Sequence, residues 1–210
     1  MSLKLTHLSI RAPSGNVLIR NLSLEIAAGE IVTLMGESGS GKSTLLNAIA
    51  GHLPARFALG GDIKLNGQSL LGHRPETRHV GLMFQDAMLF PHLSVGDNLA
   101  FGLHSRIKAR ADRRARVEAA LTQAGLQGMY ARHPDSLSGG QRSRAALMRT
   151  LLAEPAALLL DEPFASLDAD RRAEIRAFTF EHVQRRAIPV LLVTHDPADA
   201  HAINGRVQAL

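Results

Sequence analysis

Apolar and polar residues alternate at the start of the chain, and this alternation predicts strands with one buried face. Leu3 and Leu5 carry it first, then Leu22, Leu24 and Ile26. Glu30-Ile31-Val32-Thr33-Leu34-Met35 differs: it is a mostly apolar run closing on Gly36, as in a central parallel strand covered on both faces. A glycine-rich turn follows. Ser43-Thr44-Leu45-Leu46-Asn47-Ala48-Ile49-Ala50 then reads as a short helix stopped by Gly51. Asn66-Gly67, set between Asp62–Leu65 and Gln68–Leu70, is a hairpin signal. From Asp86 to about Pro155 the period turns helical. Val117, Leu121 and Ala124 share one face, and Leu147, Leu151 and Leu152 share another. Ala157–Leu160 returns to a buried strand. A long helix is predicted near Ala169–Ala187, a strand at Val190–Thr194, and a last strand within Ala202–Leu210.

Strand, helix, strand at both ends of the chain predicts an α/β fold with a mainly parallel sheet. The opening third adds an antiparallel β portion. The helical stretch predicts an inserted subdomain at 86–155, with 1–85 and 156–210 forming the core. A length of 210 residues suits one large domain or a core carrying such an insert.

Composition removes several function classes. No apolar run approaches the ~18 residues that cross a bilayer. The opening Met1-Ser2-Leu3-Lys4-Leu5-Thr6-His7 alternates, with no charged region followed by an apolar stretch, which argues against a secretory signal. There is no cysteine, so disulfides and thiolate metal sites are excluded and a reducing compartment fits. None of the ten histidines pairs with another strong ligand at zinc spacing. The formal net charge is +5, and much of it falls in Arg106-Ile107-Lys108-Ala109-Arg110-Ala111-Asp112-Arg113-Arg114-Ala115-Arg116. Two readings stand: a helix face in water, or a contact with lipid headgroups or a partner.

Three motifs carry chemistry. Gly36-Glu37-Ser38-Gly39-Ser40-Gly41-Lys42-Ser43 is a phosphate-binding loop between a buried strand and a helix. Its glycines let backbone N–H groups face a phosphate, and the helix end at Thr44 adds partial positive charge. Lys42 is placed to reach the β- and γ-phosphates, and the Ser43 hydroxyl to ligate Mg²⁺. Leu158-Leu159-Leu160-Asp161-Glu162 sends two carboxylates out of the carboxyl end of a sheet strand. Asp161 is placed for Mg²⁺ or its water, and Glu162 for the attacking water. Leu137-Ser138-Gly139-Gly140-Gln141 opens a helix with Ser138 as N-cap, a second anion-binding end.

This third motif, at its interval from Asp161-Glu162, resembles the signature of ABC ATPases. The resemblance covers almost the whole chain and implies a P-loop NTPase core. Gln85 in Met83-Phe84-Gln85-Asp86 resembles the Q-loop glutamine that links γ-phosphate and Mg²⁺ to a transmembrane partner. Ala165-Ser166-Leu167-Asp168 resembles the D-loop, and His195 the switch histidine at the γ-phosphate. The family implies ATP and Mg²⁺ as ligands and a head-to-tail dimer. In that dimer Ser138, Gly139, Gly140 and Gln141 complete the ATP site of a second copy. The stretch Phe90-Pro91-His92-Leu93-Ser94-Val95, then Asn98-Leu99, resembles bacterial importers paired with periplasmic binding proteins. It implies an integral membrane permease, an indirect solute-binding protein and a peripheral place on the cytoplasmic face of the inner membrane. Leu89, Phe90, Leu93 and Val95 also read simply as subdomain core.

Two departures from the family stand out. No Phe, Tyr or Trp precedes Phe57, so the usual adenine-stacking aromatic is missing. Arg11 or Arg20 covering the base is one alternative, loose base selectivity the other, with weak discrimination between ATP and GTP expected. The chain also ends soon after His195, without room for a regulatory domain. Rival readings are a soluble ABC ATPase of an assembly or nucleic-acid complex, a small-molecule P-loop kinase, and a binding module without catalysis. No nucleic-acid partner is expected.

Overall fold

Leu3 and Leu5 point into the core, and so do Leu8 and Ile10, although the spacing from Leu5 to Leu8 breaks the two-residue period. The phase changes at His7, whose φ of 50° inserts one extra residue into strand β1 (Ser2–Arg11). The neighbouring strand β2 (Val17–Ala27) does the same at Asn21, also at φ 50°. Ile19 lies before that shift, and Leu22, Leu24 and Ile26 lie after it, all buried. On the other side β4 (Ala58–Leu65) kinks at Gly61. A Cβ there would lie 2.5 Å from the carbonyl oxygens of Thr6 and His7, so a side chain does not fit. The ladder groups freed by the kinks find partners: His7 N donates to Ser23 Oγ at 3.0 Å and Asn21 N to Ser9 Oγ at 3.0 Å.

The computed structural model describes residues 1–104, 106–165, 167, 169–202 and 205–210, with backbone alone for 169–171. Asn66-Gly67, both at positive φ, turns β4 into β5 (Gln68–Ser69). The antiparallel sheet therefore runs β2-β1-β4-β5. The second sheet contains β3 (Ile31–Met35), β6 (Val80–Met83), β7 (Ala157–Asp161), β8 (Val190–Thr194) and β9 (Arg206–Ala209), in the order β6-β7-β8-β3-β9. The pairs β3/β8, β3/β9 and β7/β8 are parallel. Helix α1 (Lys42–Ala50) follows β3. This is the α/β class expected, a parallel sheet joined to an antiparallel one.

Close contacts divide the chain into two units. One is Met1–Leu82, Ala156–Glu162 and His182–Leu210, which holds both sheets apart from Met83. The other is Met83–Pro155 with Pro163–Glu181. It contains α2 (Val95–Gly102), α3 (Arg110–Gln123), α4 (Gly139–Leu152) and most of α5 (Ala169–Arg186). A short α6 (Pro197–His201) belongs to the first unit. Among the described residues no helix is long and apolar enough to cross a membrane.

The carboxyl end of α1 is closed by a side chain from far along the sequence. The buried Arg78 guanidinium donates from Nη1 to the carbonyls of Ala48 at 2.8 Å and Ile49 at 2.9 Å, and from Nε to His73 at 3.1 Å. It satisfies carbonyls that a helix end leaves open and sets a cation on the negative end of the dipole. Arg78→Met keeps much of the bulk and removes the donors. Urea denaturation should show a loss of about 2–3 kcal/mol, and an unchanged midpoint would refute the capping role.

Candidate functional site

Parallel register brings three strand ends into one row. Met35 pairs with Thr194, and Asp161 with Val193. The residues that follow, Gly36, Glu162 and His195, therefore leave the sheet together at its carboxyl edge, where such sheets bind ligands. Residues 36–41 bridge β3 to α1. Gly41, the N-cap of α1, has φ 95°, and no side chain caps the helix. Its α-carbon lies against Leu18 and Ile19: a Cβ would stand 3.3 Å from Leu18 Cβ. The free N–H groups of the first helical turn are thus left for a ligand.

Lys42 is 5% exposed. Its ammonium donates to the carbonyls of Gly36 at 2.7 Å and Glu37 at 2.9 Å and lies 3.5 Å from Glu162 Oε1. The Glu162 carboxylate is shared, since His195 Nδ1 meets its Oε2 at 2.8 Å. Glu162 has φ 44°, uncommon for a residue with a side chain, while its N–H still donates to Val193 O at 2.9 Å. Strain of this kind gathers at functional positions. Ser40 Oγ is buried and has no hydrogen-bond partner, an orphan hydroxyl inside the loop. Phosphate oxygens are acceptors that suit it. Glu37, Ser38, Gly39 and Ser43 are more open to solvent than Gly36, Ser40 and Thr44.

Asp161 adjoins this group. Burial pushes its carboxyl above the ordinary aspartate range, and the neighbouring Glu162 charge pushes the same way; a Ser43 hydrogen bond and the Lys42 charge oppose them. Ser43 and Asp161 form a pair of hard oxygen donors. Among the described residues no group of three or more His, Asp or Glu is placed to hold a metal ion by itself. The donor set therefore suits a cation that takes its other ligands from phosphate and water.

Lys42, Ser43, Asp161, Glu162 and His195 are all in the first unit. Gln85 and residues 138–141 are in the second. Gln85 is exposed two residues beyond β6. Ser138 caps α4 through a reciprocal box: its Oγ accepts from Gln141 N at 3.3 Å, and Gln141 Oε1 accepts from Ser138 N at 2.9 Å. Gln141 thus has a capping role as well as the expected place beside a ligand. Of the D-loop stretch, Ser166 and Asp168 lie outside the described residues. Arg11 donates to Gly15 O at 2.7 Å within the β1–β2 turn, while Arg20 is exposed. Leu18, beneath the loop, went unnoticed in the sequence. Its signal was an apolar residue out of phase with the Ile19 side of β2.

Comparison with known proteins places these features in a family. The profile of the ABC transporter family matches residues 19–165. The chain is 45% identical over 202 residues to the ABC transporter ATP-binding protein YnjD of Escherichia coli (strain K12), spanning 94% of this chain and 92% of that protein. It is 44% identical to the thiamine import ATP-binding protein ThiQ of Ruegeria sp. (strain TM1040), spanning 87% of this chain and 78% of the relative. Identity to the sulfate/thiosulfate import ATP-binding protein CysA of Gloeobacter violaceus is 44%, with 90% of this chain matched to 54% of that protein. The solved structure of cbiO1 from Clostridium perfringens, part of the ABC transporter complex cbiONQ, superimposes with a TM-score of 0.80 at 30% identity. That match spans 92% of this chain and 78% of the other.

The raised Asp161 pKa fixes a sign. The folded state holds this proton more tightly than the unfolded chain, where aspartate titrates near about 3.9. Its contribution is therefore most favourable at low pH and is lost as pH rises through the higher folded value. At neutral pH, well above the unfolded value, the raised pKa costs stability. Asp161→Asn should raise the melting temperature of the nucleotide-free protein at neutral pH while hydrolysis collapses. Calorimetry checks this, and a lowered melting temperature would show that the charge stabilises the fold.

Proposed function

The chain belongs to the ABC transporter family and is an ATP-binding ATPase, and on that premise we propose that it powers a bacterial importer through a separate membrane permease. The observation that carries the chemistry is the row Lys42–Glu162–His195 beside Ser43 and Asp161. Lys42 supplies charge to the transferring phosphoryl group. Glu162, one residue beyond the strand end, orients the attacking water, and His195 holds Glu162 and meets the γ-phosphate. Ser43 and Asp161 are the residues that would hold Mg²⁺, which would supply positive charge to offset that of the phosphates. Phosphoryl transfer then needs mainly position and charge.

We assign Ser138, Gly139 and Gly140 to the ATP of a second copy in a head-to-tail dimer, with Gln141 holding Ser138. The N-terminus of α4 has the chemistry for it: a serine hydroxyl and open backbone donors. ATP closes such a dimer and hydrolysis releases it. The core at 1–85 and 156–210 would carry the catalytic row, and 86–155 would carry the second anion site.

The permease contact is assigned to the second unit after Gln85. Asn98 is fully buried and stitches this loop: its Nδ2 donates to Phe90, Leu93 and Ser94 carbonyls, and its Oδ1 accepts from Phe90 N at 2.7 Å. Val95 goes into the core, whereas Met88 at 61% and Phe101 at 68% stay exposed. Exposed apolar side chains on this loop and on α2 suit a short permease helix. The import direction is taken from the relatives ThiQ and CysA, which are import ATP-binding proteins. A periplasmic solute-binding protein would act through the permease, and this chain would sit on the cytoplasmic face of the inner membrane.

Glu162→Gln should retain ATP binding and lose turnover by about 10²–10⁴-fold; full turnover would remove Glu162 from the water-activating role. For the partner, the tagged chain purified from gently solubilised membranes should bring a stoichiometric polytopic protein. Soluble partners alone would leave the ATPase standing and move it to the soluble branch of the family.

A further inference from the structure

The basic excess of this chain has one address. Residues 106–116 carry six basic side chains and one acidic one, a formal +5 that equals the charge of the whole chain. Elsewhere acidic and basic residues balance. The segment is folded into a groove of about 680 Å³, where the approach to α3 and its first turns are lined by Arg106, Lys108, Asp112 and Arg116 with Ile107 and Ala115.

The cations divide into two groups. Arg113 is spent on structure, donating to Ile107 O at 3.0 Å and Ala100 O at 2.6 Å. Arg114 pairs with Glu118 at 2.7 Å and lies 3.4 Å over the Tyr130 ring. Arg106 and Arg116 both engage the Glu154 carboxylate, so the groove already gathers two guanidiniums on one anion. Lys108 and Arg110 are exposed and enter no side-chain hydrogen bond or ion pair among the described residues. Their repulsion is left for a partner to relieve.

What partner fits is decided by the neighbourhood. Arg113 ties the groove to Ala100, and the next residue is the exposed Phe101, at the edge assigned above to the permease. Within the groove itself the cations alternate with the apolar Ile107, Ala109 and Ala115, the composition of a surface that meets lipid headgroups. Single-stranded nucleic acid would need several stacking aromatics, and the chain's one tyrosine is already covered by Arg114.

We propose that this groove docks on an anionic lipid surface, with Lys108 and Arg110 taking headgroup phosphates, so that the ATPase contacts the bilayer beside its permease. The proposal rests on the membrane-subunit reading, but its test needs no permease. The purified full chain is sedimented with vesicles of phosphatidylglycerol and phosphatidylcholine in equal parts, and with phosphatidylcholine alone. Binding is expected to the anionic vesicles only and to fall with salt. The pair Lys108→Gln with Arg110→Gln should weaken it on the order of tenfold, with circular dichroism and ATP turnover unchanged. The exposed pair Arg56→Gln with Arg74→Gln removes the same charge from the other unit and should bind like wild type. Equal loss in both pairs, or no loss in the first, overturns the proposal. So does binding of duplex or single-stranded DNA in place of vesicles. Absence of ATP turnover in wild type would instead strike the ATPase reading, whatever the vesicles show.

Discussion

A lysine ammonium almost wholly out of water has to be compensated, and the centre of this protein is arranged around that need. Burying a charge costs several kcal/mol unless donors, acceptors or counter-charges replace the lost water. Two loop carbonyls and one carboxylate do so for Lys42. Those carbonyls belong to a turn that only a strand end, a glycine run and a helix start can build in so few residues. The carboxylate comes from another strand, and its backbone adopts a left-handed φ to reach the position. His195, from a third strand, fixes the far side of the same carboxylate. The parallel sheet therefore does more than fill a core. Its register decides which three side chains meet.

The two helix N-termini expected to face nucleotide are built differently. The start of α1 has a glycine N-cap and no side chain on its first-turn amides. The start of α4 has a serine that already accepts from one amide and a glutamine that closes the box. An uncapped end is poorer on its own and better disposed to an anion. A capped end is defined before any ligand arrives. That contrast fits a loop that wraps a phosphate and a signature that is presented ready-made.

Much of this was legible in the chain. A long apolar run ending in a glycine-rich loop marked β3 and α1, because periodicity and turn chemistry agreed there. Asn66-Gly67 marked the hairpin for the same reason. Strand β6 escaped, since Val80-Gly81-Leu82-Met83 is short and lacks flanking turn residues. Helix α6, of five residues, is too short to show a period. Arg78 could not be read as a cap, because its acceptors lie 29 and 30 residues away. The bulges were half visible: Leu3 and Leu5 sit on odd positions, Leu8 and Ile10 on even ones, and only the pairing of β1 with β2 explains the change. The candidate site residues were legible because local motifs carry them. Their mutual contacts are tertiary and came only with the fold.

The kinks at His7 and Asn21 also bear on how the protein survives at high concentration. A four-stranded sheet has two outer borders, and an unbroken border is a template for pairing with another molecule. Here one border is β2, bent at Asn21, and the other is β5, only two residues long. Neither offers a straight row of free amides. The extra residues that keep the leucines pointing inward also deny a neighbouring copy a straight strand to join, so resistance to aggregation comes from the same irregularities that complete the core.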